Sequence, residues 1–327
     1  MNRNLTQLVE NTRNYLGLLR KRPIEEVYAK LILGGEPGPQ LPNYGDDAAV
    51  IPWKDGYLLL AADGMMTRLL IHEPYAAGKA SVMVTVNDIY AMGGRPLAMV
   101  NVLASGDDAH RSKVIDGIRK GCEKLRVPMV GGHLHPDAPS DAPSLSVAIL
   151  GHANKLLRSH LAAPADDLIF AADLNGQVGC HSVVSWDANS GKTPEELIHR
   201  LEALPIIAEN GWAKACKDVS NAGLLGTLSI MMENSGRGAE IDLESVPCPP
   251  EMGLLDWMVS FQSFGFILSV KPDNSRPIID LFRERHIHAA VVGKVTDTQR
   301  VTIKSEAESQ TVFDFTTERI TGITCPL

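Results

Sequence analysis

Val86-Asn87-Asp88-Ile89-Tyr90-Ala91-Met92-Gly93-Gly94-Arg95-Pro96 sets an amide and a carboxylate inside an apolar run, then ends the run on paired glycines and a proline. The pattern predicts a helix from about Tyr75 to Met92: Gly93-Gly94 supplies the C-terminal break and Pro96 bars continuation. A carboxylate on so apolar a helix is costly unless it is hydrogen-bonded, paired or bound to a cation. Asp88 therefore either faces water or is held for a ligand, and its neighbours in the sequence must decide.

Upstream, Asp46 and Asp47 follow Gly45 and lead straight into the apolar stretch Ala48 to Ile51. A turn at Lys54-Asp55-Gly56 joins that stretch to a second strand, Tyr57 to Ala62, which runs out on Asp63 before Gly64. Any one of these aspartates alone reads equally well as a turn cap or a solvated side chain. Together they are the hard-oxygen set that Mg²⁺ takes when it bridges nucleotide phosphates.

Downstream, Pro96 to Ala104 reads as a strand, Asp108 to Leu125 as an amphipathic helix and Val127 to Val130 as a short buried strand. It runs into Gly131-Gly132-His133-Leu134-His135, where paired glycines let backbone N–H groups approach phosphate oxygens. His133 and His135 share a face if the strand continues, a spacing that suits a transition metal, though no third ligand is evident. Further on, Asp218-Val219-Ser220-Asn221-Ala222-Gly223 precedes a helix, so Asp218 or Ser220 is a candidate cap and the helix start a candidate anion site. Ser190-Gly191-Lys192-Thr193 imitates the end of a phosphate loop, but Trp186 stands where that motif needs glycine and Pro194 follows at once.

The outer parts complete an α+β series. Residues 4 to 33 carry helical periodicity, with Pro23 opening a second helix, and Gly34 to Pro39 reads as a loop. Leu145 to Leu150 is a strand, and a second unit begins with the strand Leu168 to Ala172. Pro194 to Leu204, Gly223 to Met232 and Arg276 to Arg285 read as helices, Phe264 to Val270 and Ala289 to Val295 as strands. The expected division is 1–160, with a helical extension over 1–38, and 161–327.

Composition narrows the class. A formal charge of −8 over 327 residues speaks against a nucleic-acid surface, and Arg20-Lys21-Arg22 reads as a solvated helix face. Cys122, Cys180, Cys216, Cys248 and Cys325 never form a CxxC pair, which argues against a disulfide framework or structural zinc. The N-terminus lacks the apolar core of a secretory signal, and no apolar run approaches the ~18 residues of a membrane span. A cytoplasmic protein with no membrane or nucleic-acid partner is expected.

Gly45-Asp46-Asp47-Ala48-Ala49-Val50, Ala61-Ala62-Asp63-Gly64 and the run Asn87 to Pro96 resemble the ATP-binding motifs of the PurM-like (aminoimidazole ribonucleotide synthetase-related) superfamily. Its members include thiamine-monophosphate kinase, selenophosphate synthetase and the carbamoyl dehydratase of hydrogenase maturation. Gly131-Gly132-His133 and Asp218-Val219-Ser220 with Gly223-Leu224-Leu225-Gly226 look most like selenophosphate synthetase, while Phe264 to Leu268 and Val292 to Val295 are similar to the C-terminal domain. The resemblance implies a two-domain α+β protomer, with an N-terminal α/β sheet domain that pairs in a homodimer and a C-terminal α/β sandwich domain. It also implies ATP and Mg²⁺ as cofactors. Asp46, Asp63, Asp88 and Asp218 would hold metal and phosphates, and Asp47, Asn87, Gly131, Gly132 and His133 would surround the nucleotide.

The departures bear on the reaction. The first cysteine is Cys122, whereas selenophosphate synthetase carries a reactive Cys or selenocysteine near its N-terminus. His133 and Asn221-Ala222 stand where thiamine-monophosphate kinase has acids, and Cys325 is followed by Pro326-Leu327 where the hydrogenase protein ends on its cysteine. The leading expectation is an enzyme that uses Mg-ATP to activate an oxygen of a small-molecule substrate by phosphoryl transfer. Thiamine-monophosphate kinase-like, selenophosphate synthetase-like and hydrogenase-maturation-like activities are alternatives, as is a non-catalytic ATP-binding scaffold or sensor.

Overall fold

The computed structural model describes residues 5–31, 45–139, 141–306 and 308–324. The chain divides into two compact units, one formed by residues 1–46, 157–175 and 211–327, the other by residues 47–156 and 176–210. The two large sheets fall on either side of residue 160, while the N-terminal helices belong with the C-terminal sheet.

The unit of residues 47–156 and 176–210 is built on a five-stranded sheet of order β1-β2-β5-β3-β4, with β1 Ala49–Trp53, β2 Gly56–Gly64, β3 Arg95–Ala104, β4 Met129–His135 and β5 Ser144–Ala153. Every pairing is antiparallel except β3 with β4. Helices α4 Thr67–His72, α5 Pro74–Ala91 and α6 Asp108–Leu125 follow the strands they cover. Helix α5 is apolar nearly all round, as a helix buried between a sheet and a second helix has to be. Its crossing with α6 is close: a Cβ on Gly78 would lie 2.1 Å from the Val114 carbonyl oxygen, and one on Gly117 would lie 2.1 Å from that of Tyr75.

The strict alternation of a sheet with one covered face sorts its residues. Val50, Leu59, Met99, Leu103, Val147 and Ile149 are buried under the helices. On the other face Ile51, Leu60, Val100 and Val102 are 44, 47, 43 and 46% exposed, an apolar surface that this unit leaves uncovered. The same unit contains β7 Gln177–Val178 paired with β8 Ser185–Asp187, then α7 Pro194–Leu201 and α8 Ala203–Glu209. The phosphate-loop look-alike is structural: Thr193 forms a reciprocal capping box with Glu196 at the start of α7, and Lys124 donates to the Asn189 and Lys192 carbonyls.

The other unit carries a seven-stranded sheet, order β15-β14-β10-β13-β6-β12-β9. Its strands are β6 Asp167–Ala172, β9 Ala215–Asp218, β10 Gly238–Asp242, β12 Gly265–Val270, β13 His288–Thr296, β14 Arg300–Ser305 and β15 Glu308–Asp314, and the short β11 Phe261–Gln262 precedes β12. Strands β6 and β12 are buried at every position, matching sequences that are apolar apart from Asp167 and Ser269. Helices α9 Gly223–Ser235, α10 Leu254–Val259 and α11 Pro272–Glu284 complete this half.

The N-terminal helices α1 Leu5–Asn14, α2 Leu16–Leu19 and α3 Ile24–Leu31 belong to this unit. Arg13 fixes α1 to β15 by donating to the Val312 carbonyl at 2.7 Å and to both carboxylate oxygens of Glu318 at 2.8 and 2.5 Å. The C-terminal segment is held by Glu233 of α9, a buried carboxylate that accepts from the backbones of Ile320, Thr321 and Gly322 and from the Thr321 hydroxyl. Cys325 lies outside the described residues.

Candidate metal and nucleotide site

The chain enters β1 through a turn that Gly45 makes possible, at φ +78°. The next residue, Asp46, is fully buried, and both of its carboxylate oxygens accept hydrogen bonds. Oδ2 accepts from Arg158 Nε at 2.5 Å, and Oδ1 accepts from the Ser159 backbone at 2.8 Å and its hydroxyl at 3.1 Å. His160 Nδ1 stands 3.6 Å away. Burial by itself pushes the Asp46 carboxyl up, but the contact with His160, the Arg158 guanidinium and the Ser159 N–H outweigh it and hold the group below its usual range. The Gly45 carbonyl is held in turn by Ser159 Oγ at 2.8 Å and Lys217 Nζ at 3.1 Å. Asp46 thus anchors the turn, a different placement from the metal ligation that the motif resemblance implied.

Asp47, one residue on, has the geometry that was expected of Asp46. A carboxylate oxygen of Asp47 and one of Asp88 lie within 4.8 Å of each other. Turn and helix together bring them there: Asp47 lies in the turn that leads into β1, and Asp88 is in the final turn of α5, which packs on β2 and β5. Two carboxylates at that separation repel by roughly 3–4 kcal/mol at an effective dielectric of about 20. A divalent cation between them converts that repulsion into attraction, and hard carboxylate oxygens are what Mg²⁺ prefers. The donor set therefore fits the ion. Asp63 sits at the end of β2 opposite Val147, and it does not join Asp47 and Asp88 in a set whose ligand atoms all share that spacing. Asn87 is buried in α5.

Gly131 and Gly132 lie inside β4, an edge strand that continues through His135 beyond the expected Val127 to Val130. The strand is exposed from Val130 onward because only β3 pairs with it. His133 and His135 do share a face, with ring centroids 4.5 Å apart. Beside them, β3, β4 and α6 enclose a groove of roughly 570 Å³. Its walls include Leu103, Ile118 and Met129, with Asn101, Arg119 and the Gly132 backbone as polar edges.

In the other unit Asp218 ends β9 and is buried at 4% exposure. The N-cap position of the following helix falls on Ala222, whose side chain cannot cap it, and not on Asp218 or Ser220. Gly223, at φ +69°, packs against the backbone of Met258 and Val259, so its place is steric. Arg158, Ser159 and Lys217, which fix the Gly45–Asp46 turn, were not foreseen from the sequence. Arg158 is 112 residues from Asp46, and nothing local in the chain marks the partnership.

Comparison with known proteins agrees with this architecture. The family model for the AIR synthase related protein N-terminal domain matches residues 45–153, and that for the C-terminal domain matches residues 175–306. An uncharacterized protein of Synechocystis sp. is 36% identical over 324 residues, covering 98% of this chain and 99% of that one. T. maritima PurL complexed with AMPPCP superposes with a TM-score of 0.72 at 20% identity, over 93% of this chain and 50% of that one. AaThiL complexed with AMPPCP and TMP superposes with a TM-score of 0.64 at 19% identity, over 84% of this chain and 93% of that one. The chain thus spans about half the length of the PurL structures it matches.

Proposed function

Since the chain belongs to the AIR synthase related family, we propose that it is an ATP-dependent enzyme that uses Mg²⁺ and activates an oxygen of a small metabolite by phosphoryl transfer. The observation that carries the reading is the Asp47–Asp88 pair, two hard-oxygen donors held within 4.8 Å of each other. Asp47 and Asp88 would hold the ion, which would neutralise charge on the nucleotide's phosphates. Asp63 and Asp218 stay in the ligand set through the motif resemblance. The groove beside β4 suits a nucleoside: apolar side chains for a base, Asn101 and Arg119 for its polar edge, and glycine N–H groups for phosphate oxygens. PurL and AaThiL have each been solved with AMPPCP, which supports the nucleotide part of the reading.

The uncovered face of the five-stranded sheet supports a homodimer formed through that face. Ile51, Leu60, Val100 and Val102 would leave water there, a stronger driving force than isolated exposed apolar residues provide. Among the described residues no helix is long and apolar enough to cross a membrane.

The test is calorimetric titration with AMPPCP, with and without Mg²⁺, on wild type and Asp88→Asn. Tight binding that needs Mg²⁺ and weakens at least ~10-fold in the variant is expected. Equal binding in both proteins, or binding indifferent to Mg²⁺, would remove the assignment.

A further inference from the structure

Gln262 is 1% exposed, yet among the described residues neither Oε1 nor Nε2 of its amide has a hydrogen-bond partner. Leaving both the donor and the acceptor of one buried side chain unpaired is costly, and native structures rarely do it without a reason in function or in bound water. The surroundings do not demand an amide. Trp257, Phe264 and Phe266 are buried close by in sequence, and a methionine or leucine would fill the same volume with no polar penalty.

The position is informative. Gln262 ends β11, and its backbone N–H donates to the Val219 carbonyl at 3.4 Å, while Val219 N–H donates to the Gly265 carbonyl at 2.8 Å. In the sheet Phe266 lies opposite Asp218 and Gly265 opposite Ala172, and Asp173 N–H donates to the Phe264 carbonyl. The unpaired amide is therefore at the sheet end that carries two buried carboxylates, Asp173 at 1% and Asp218 at 4% exposure. Its placement is built into the chain: a Cβ on Gly265 would lie 2.2 Å from Gln262 Oε1, so the amide occupies the space where a side chain at 265 would stand.

We propose that Gln262 is a specificity-determining residue that reads a planar N–C=O group of the ligand bound at the Asp218 end of this sheet. Nε2 donates to the ligand's carbonyl oxygen and Oε1 accepts from its N–H, so one side chain satisfies both partners. An amide also fits the electrostatics better than the matching acid, because a carboxylate would add a further buried negative charge at a sheet end that already holds Asp173 and Asp218. The inference deepens the function proposed above and rests on it for taking Asp218 as part of a ligand site.

The experiment uses the full-length protein labelled with [¹⁵N]glutamine. The Gln262 side-chain NH₂ resonance is identified by its absence in Gln262→Met, and acetamide and acetate are titrated in parallel. Acetamide is expected to shift that resonance and acetate to leave it in place. In the same series the melting temperature of Gln262→Met is expected to rise by roughly 2–6 °C, since removing two unpaired polar atoms stabilises the empty protein. Gln262→Leu serves if the methionine variant does not fold. In Gly265→Ala the new Cβ would lie 2.2 Å from Oε1, 2.9 Å from Cδ and 3.0 Å from Cβ of Gln262, so the glutamine must turn away and the acetamide response should vanish. A lower melting temperature in both Gln262→Met and Gln262→Leu would mean that the amide is paired with structural water, and would overturn the proposal. So would equal responses to acetamide and acetate. Titration of AMPPCP with Mg²⁺ separates the two readings: Gln262→Met should bind within about twofold of wild type. Loss of AMPPCP binding in this variant alone would assign Gln262 to the nucleotide and overturn the proposal. Failure of wild type to bind it would instead overturn the ATP reading, leaving the acetamide titration to judge Gln262.

Discussion

Adjacent aspartates should respond in opposite ways to the same isosteric change. Asp46→Asn removes one charge from a buried pair whose other member, Arg158, is itself 9% exposed, so a buried guanidinium loses a carboxylate beside it. Breaking such a pair from one side costs about 3 kcal/mol or more, and Asn keeps only part of the hydrogen bonding because its amide N–H₂ cannot accept from Arg158 or Ser159. For a chain of this size that corresponds to a melting temperature lower by roughly 5–10 °C. Asp47→Asn does the reverse. It relieves a like-charge repulsion at 4.8 Å, and because Asp47 is half-exposed the gain is discounted for solvent to about 1 kcal/mol, a rise of only ~2 °C. The assay is thermal unfolding beside AMPPCP–Mg²⁺ titration for both variants. Asp46→Asn should unfold early and still bind at temperatures where it is folded, whereas Asp47→Asn should stay stable and lose at least ~10-fold in affinity. An Asp46→Asn protein that melts like wild type but cannot bind nucleotide would refute the division of labour between the two residues.

Three further outcomes follow from the geometry. The Asp46 carboxyl is held below its ordinary value of 3.8, so its contribution to stability should be complete above that value and be lost as pH falls through the depressed one; thermal unfolding followed by circular dichroism should show a lower midpoint below pH 3.8 than at neutral pH in wild type, and a flatter pH dependence there in Asp46→Asn. Gly17 in α2 lies so close to the Asn221 carbonyl that a Cβ would stand 2.0 Å from it; Gly17→Ala should therefore destabilise by about 2 kcal/mol or more in denaturant titration, and an unchanged midpoint would show that α2 does not press on that loop. Val102→Asp puts a charge on the uncovered sheet face and should convert a dimer to monomers by light scattering, while a wild type that is already monomeric would remove the proposed pairing.

Local signals in the sequence located the elements well wherever one period dominated. The helix expected over Asp108 to Leu125 has those bounds in α6, and the one expected from Tyr75 to Met92 is α5, because Pro74, Gly93 and the apolar run leave little choice. Strand β4 was read too short, since its glycines and histidines lack apolar character and its only partner, β3, is a non-local neighbour. Strands β9, β10, β14 and β15, along with α4 and α10, went unread for a related reason: tertiary pairing rather than local propensity decides them.

The site divides along the same line. That Gly45-Asp46-Asp47 and Asp88 carry unusual carboxylates was legible, because charged residues at the head of a strand and within an apolar helix conflict with their surroundings. Which of the two neighbouring aspartates faces Asp88 was not. That depends on Arg158 and Ser159, which claim Asp46 from 112 residues away and so leave Asp47 turned toward the helix. Gln262 stands at the far end of the same argument: in sequence it is one polar residue between Phe261 and Ser263, and it becomes anomalous only when the fold buries it unpaired over Gly265. A conflict between a residue and its sequence neighbours can be read before folding, whereas a conflict between a residue and its spatial neighbours exists only after it. A substrate-reading group is of the second kind, because its proper partner is not part of the chain.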